Sequence, residues 1–96
     1  GITLVAGPGV SLRVRSAPTW LATAGAGDAL GGILGALVAT HSDAVRDDPD
    51  ELARLAATAS VIHGLAAERA TGGGPFTILG LCSALPATVA ELLSRR

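Results

Sequence analysis

The sequence predicts a mixed α/β chain, a short β-hairpin followed by about three helices. Three observations predict it. Apolar and polar residues alternate on both sides of a Gly-Pro-Gly turn near the start, the pattern lengthens to a helical period from Asp28, and Asp48 with Pro49 marks a further helix start.

In "GITLVAGPGVSLRVRS", Ile2, Leu4 and Ala6 alternate with Thr3 and Val5, and Gly7, Pro8 and Gly9 supply the turn. Val10, Leu12 and Val14 then alternate with Ser11, Arg13 and Arg15, leaving one polar face, as at the edge of a sheet. "SAPTWLATAGAG" reads as a loop. From Asp28, "DALGGILGALVATH" places Leu30, Ile33, Leu34, Leu37 and Val38 along one broad side. Gly31, Gly32 and Gly35 each weaken a helix by roughly 1 kcal/mol relative to Ala, so close approach of another element or a ligand is expected there.

"SDAVRDDPDEL" reads as a polar connector that ends in a helix start. Asp48 caps, Pro49 takes the first helical position, and Glu51 stands three residues after the cap. This helix is expected to run to about Ala70, with Leu52, Leu55, Ala59, Ile62 and Ala66 forming its apolar stripe. Gly72, Gly73 and Gly74 stop it, and Pro75 prevents its resumption. The remainder, "FTILGLCSALPATVAELLSRR", predicts a short segment and then a helix over residues 86–93.

Such strands want a larger sheet, and the first helix is apolar around most of its circumference. The expectation is the C-terminal portion of a larger domain, spanning residues 1–96, which alone self-associates or requires its missing half.

Composition narrows the function. Seven Arg, no Lys and eight acids leave a net charge of -1, which argues against a nucleic-acid or polybasic membrane surface. Cys82 is alone, which excludes an internal disulfide, argues against zinc and fits a reducing, cytoplasmic compartment. No apolar run has the length of a membrane span, and no basic region precedes an apolar stretch as in a signal peptide.

The chemistry-bearing stretch is "ATAGAGDALGG", residues 22–32, where Asp28 stands alone in a run of small residues at an expected helix start. It is not a P-loop: Gly27 and Gly32 have the spacing, but Ile33 follows and the chain lacks Lys. It is not a dinucleotide fingerprint either, because Leu30 occupies the place of the third glycine. Gly25, Ala26 and Gly27 would instead expose backbone N–H groups at a helix N-terminus, which suits an anion. A carboxylate beside phosphate oxygens is repulsive unless it takes part in chemistry. In phosphoryl transfer to a hydroxyl, such amides stabilise charge on the phosphate while Asp28 accepts the hydroxyl proton. The structural alternative is a first-turn acid that stabilises the helix dipole by about 0.3–1 kcal/mol.

The longer stretch "TWLATAGAGDALGGILGALVATH" resembles the helix-opening motif of the ribokinase-like superfamily, whose sugar-kinase form is Asp-Thr-x-Gly-Ala-Gly-Asp. More closely, it is similar to the ADP-dependent NAD(P)H-hydrate dehydratase family, the C-terminal half of bifunctional NAD(P)H-hydrate repair enzymes. That family reads Leu-Ala-Thr-Ala/Gly-Gly-Ser/Thr-Gly-Asp-Val-Leu-x-Gly-Ile, which residues 21–33 follow. Ala22 stands where sugar kinases carry the first Asp. "VIHGLAAERA" and "GGGPFTILGLCSALPATVAELL" also match the family's ending in order and spacing. The resemblance spans nearly the whole chain but only about the last third of a family domain. Ala26 departs from the commoner Ser or Thr, and Gly80 stands where the family often has Asp.

The resemblance implies the C-terminal part of a ribokinase-like three-layer α/β/α fold and the repair of hydrated NADH or NADPH. A nucleotide phosphorylates the hydroxyl of the damaged nicotinamide ring, and phosphate then leaves to restore the dihydronicotinamide. Bacterial members use ADP and eukaryotic members ATP, with Mg2+ attending the phosphates; no residue here is identified as its ligand. Gly27 matches the position that contacts the nucleotide phosphate, and Asp28 the position that contacts the hydrated substrate. Thr3 matches the end of the family's Lys-Gly-x-x-Thr nucleotide segment. The implied partners are the missing N-terminal half of the domain, with or without an epimerase domain, and further copies of the chain in a homo-oligomer. Two other classes stay open: a small-molecule kinase of the same superfamily, which Ala22 counts against, and a non-catalytic assembly module whose glycine-rich helix serves packing.

The remaining candidates have simpler explanations. His63, beside the apolar stripe, is expected to be a partly buried, hydrogen-bonded structural residue, and His41 a structural residue near a helix end. Cys82 is expected to pack as a small apolar residue, and the acids between Asp43 and Glu51 to form a solvated connector without metal-ligand spacing.

Overall fold

Alternation across the Gly-Pro-Gly turn does produce a hairpin. In the computed structural model, which describes residues 2–15, 25–71 and 77–95, strand β1 (Ile2–Ala6) pairs antiparallel with β2 (Ser11–Arg15). The turn closes through the Gly7 amide, which donates to the Val10 carbonyl at 2.8 Å. Register places Thr3 opposite Val14 and Val5 opposite Leu12, so Val14 is buried, whereas Leu4 on the other face is 73% exposed.

Four helices follow: α1 (Ala26–Thr40), α2 (Ser42–Asp47), α3 (Asp50–Thr71) and α4 (Ile78–Ser94). The described residues thus form an α/β arrangement, a two-stranded sheet with helices. The hairpin rests mainly on α3, and α1 and α4 pack on α3 as well. The Gly9 amide donates to Asp50 Oδ1 at 2.7 Å, which ties the hairpin turn to the start of α3. A Cβ at Gly9 would come within 2.7 Å of Asp50 Oδ2, and one at Gly7 within 3.0 Å of the Ala53 Cβ, so small turn residues permit this docking.

Helix α3 starts at Asp50, one residue after Pro49, the expected first position, and Asp48 caps it. Asp48 Oδ1 accepts from the Asp50 amide at 3.0 Å, and the Asp48 carbonyl accepts from the Glu51 amide at 3.0 Å. Only half of a capping box is made. The Asp48 amide donates to the Ala44 carbonyl, and the Glu51 carboxylate pairs with Arg54. Arg54 also holds the Asp48 carboxyl below its ordinary pKa, chiefly by hydrogen bonding to it.

Three expectations need correction. Helix α1 begins at Ala26, two residues before Asp28. The expected polar connector contains α2, in which the Val45 amide donates to the His41 carbonyl at 3.1 Å and Asp43 pairs with Arg46. The last helix begins at Ile78, with Pro86 inside it. Its N-cap is Thr77, whose Oγ1 accepts from the Gly80 amide at 3.0 Å. Proline in a helix interior costs about 3 kcal/mol. Leu81, fully buried in the turn that Thr77 caps, offsets that cost by packing against Ala66 and Ala67. The expected stop at Gly72, Gly73 and Gly74 lies outside the described residues, as does the loop over residues 16–24.

The core is small and made mostly of short side chains. Ala59, Ala66, Ala67 and Leu81 are wholly buried, and Ala29, Ala84 and Leu85 pack around the last three. Alanines on α3 let α1 and α4 approach its backbone closely. In α1, by contrast, only Ala26 is buried, although most of the helix is apolar.

Candidate functional site

Gly25 determines how the chain enters α1. It takes the left-handed conformation, with φ 93° and ψ −12°, which a side chain would strain. A Cβ there would also come within 3.1 Å of Ile78 Cγ1, so the starts of α1 and α4 meet at this glycine. No side chain among the described residues caps α1. Its first internal bond runs from the Ala29 amide to the Gly25 carbonyl at 3.0 Å, so the amides of Ala26, Gly27 and Asp28 precede the helical ladder. Gly27 is exposed, and a Cβ built on it meets nothing within 4 Å. The fold of the described residues therefore does not itself require glycine at this position.

Asp28 lies one position further on, exposed on the first turn. Among the described residues no hydrogen bond or ion pair reaches its carboxylate. It stands at the edge of a groove of about 530 Å³ between α1, α3 and α4, whose other walls include Ile33, Ile62, Leu85 and Val89. The structure thus places Gly25, Ala26, Gly27 and Asp28 together at one helix start. Thr3 is different: its backbone belongs to β1, and its side chain lies outside the described residues.

The expected close approach at Gly31, Gly32 and Gly35 is not made by any described element, since a Cβ at each would meet open space. Cys82, expected to pack inside, is exposed on α4 and borders the groove. His41 is structural, as expected. It ends α1, with Nδ1 at 2.9 Å from the Leu37 carbonyl and its own amide donating to the same carbonyl.

His63 is more buried than its sequence context implies, at 6% exposed, and its Nε2 has no hydrogen-bond partner among the described residues. Burial pushes its pKa below the ordinary value, while hydrogen bonding to the Ala26 backbone offsets part of the shift. The unfolded ring protonates near pH 6.5 and the folded ring only at lower pH, so the unfolded chain binds more protons in between. Stability is therefore whole above about pH 6.5 and is lost as pH falls from there toward the lowered folded value. Thermal melts of the wild type and His63→Asn from pH 7.5 to pH 5 should show the wild type losing stability faster; parallel curves would contradict this burial.

No three His, Cys, Asp or Glu side chains among the described residues gather into a metal site. A magnesium ion that attends a nucleotide is held by one or two carboxylates together with the phosphates, and Asp28 is the carboxylate on the first turn of α1. No helix among the described residues is long and apolar enough to cross a membrane. Comparisons with family models, curated proteins and solved structures return no match to this chain.

Proposed function

We propose that this chain carries the phosphoryl-transfer corner of a nucleotide-dependent enzyme that repairs hydrated NADH or NADPH, within a ribokinase-like domain. The observation that carries the reading is the pairing of Asp28, whose carboxylate has no partner among the described residues, with the unladdered amides of Ala26 and Gly27 at one helix start. Those amides and the positive end of the α1 dipole stabilise the terminal phosphate of ADP or ATP. Asp28 accepts the proton of the ring hydroxyl as its oxygen attacks phosphorus, and the bond from phosphorus to the nucleotide's bridging oxygen breaks. The phosphorylated ring then expels phosphate with the C–O electron pair, driven by the ring nitrogen. Loss of a proton from the neighbouring ring carbon completes the dihydronicotinamide.

Gly27→Val tests the anion site, because a Cβ at this position meets no described residue within 4 Å. The added side chain projects beside the amides that would hold phosphate, so ADP affinity measured by calorimetry should fall at least about tenfold while the melting temperature stays near wild type. Unchanged affinity in the folded variant would remove the reading. A protein that binds nucleotide yet leaves hydrated NADH untouched, while phosphorylating a sugar or vitamin precursor, belongs to the kinase class instead.

A further inference from the structure

Glycine is the residue least able to hold a backbone direction by itself, yet the aim of the Ala26 and Gly27 amides follows from the φ of 93° and ψ of −12° at Gly25. No side chain among the described residues caps this turn, so its restraint has to come from another element. Ile78, the first residue of α4, lies against it. From the position that a Gly25 Cβ would take, Ile78 Cγ1 is 3.1 Å away, and Cβ and Cγ2 are each 3.7 Å away. The three nearest atoms all belong to this one side chain. Ile78 is itself held firmly. Thr77 caps α4, its Oγ1 accepting from the Gly80 amide and its carbonyl from the Leu81 amide, each at 3.0 Å. Leu81, one turn further along the same face, is wholly buried against Ala66 and Ala67 of α3. A β-branched side chain on a helix has one strongly preferred χ1 rotamer, so Ile78 presents a stiff wall to the glycine.

We infer that Ile78 is a positioning residue for the start of α1: its Cβ branch confines Gly25 to the left-handed conformation and so fixes the direction in which the Ala26 and Gly27 amides point. The purpose of that alignment rests on the nucleotide reading above; the confinement itself does not.

The test compares Ile78→Val, which keeps Cβ and both γ carbons, with Ile78→Ala, which keeps Cβ alone. NMR of the nucleotide-free wild type should show nuclear Overhauser contacts from the Ile78 side chain to the Gly25 α-protons, and HN–Hα couplings at Gly25 that report a fixed positive φ. Ile78→Val should preserve those couplings and the amide resonances of Ala26 and Gly27. Ile78→Ala should average the couplings and move both resonances, while those of the hairpin stay in place. ADP affinity should be kept by Ile78→Val and fall roughly tenfold in Ile78→Ala. If Ile78→Ala does not fold, Ile78→Leu, which keeps the volume and loses the Cβ branch, carries the same expectation. Missing contacts in the wild type, unaltered couplings in the branchless variant, or equal changes in Ile78→Val and the branchless variant would overturn the inference. A wild type that binds no ADP, with couplings as expected, overturns the nucleotide reading and leaves the positioning role standing.

Discussion

Asp28→Asn should lower turnover of hydrated NADH by roughly 10²–10⁴-fold while ADP affinity and melting temperature stay close to wild type. The separation follows from the geometry. Asp28 is exposed and makes no hydrogen bond or ion pair among the described residues, so an isosteric amide breaks no contact that holds the fold. What it removes structurally is a first-turn charge, worth about 0.3–1 kcal/mol against the helix dipole. What it removes chemically is the only proton acceptor on the first turn of α1. Turnover, ADP binding and thermal stability measured on the same variant therefore divide the two roles. Near-normal turnover with a small loss of stability would make Asp28 a dipole residue and nothing more.

Leu81→Ala should destabilise the protein by about 2–5 kcal/mol, toward the upper end of that range. Leu81 is wholly buried, and of its core neighbours Ala66, Ala67, Ala29, Ala84 and Leu85 only Leu85 has side-chain torsions with which to fill the space it leaves. Such a loss is a large part of the roughly 5–15 kcal/mol that holds a typical domain folded. Urea unfolding followed by circular dichroism would measure it. A change under about 1 kcal/mol would mean that the first turns of α4 do not seat on α3 in solution.

Local signals were legible wherever a short stretch satisfies itself. The hairpin follows from period-two alternation around Gly7, Pro8 and Gly9, and the α3 start from Asp48 capping ahead of Pro49. The candidate site was legible for the same reason. Gly25, Ala26, Gly27 and Asp28 are consecutive, and one helix start gathers them without help from distant residues. The last helix was misread because proline is at home in a first turn, and Pro86 fits that pattern as readily as an interior position. Only the burial of Leu81 against α3 decides between them, and burial is not written in a local pattern.

By itself the sequence determined the hairpin, the glycine-rich helix with its carboxylate and the capped start of α3, because capping, turn chemistry and periodicity act over a few neighbouring residues. Tertiary structure alone decided that α4 runs through Pro86, that Cys82 faces outward, and that no described residue crowds Gly27. It alone buried His63, leaving the residue 6% exposed. Each of these depends on which helix faces pack together, and the alanines of α3 permit a close approach whose partner no local pattern names.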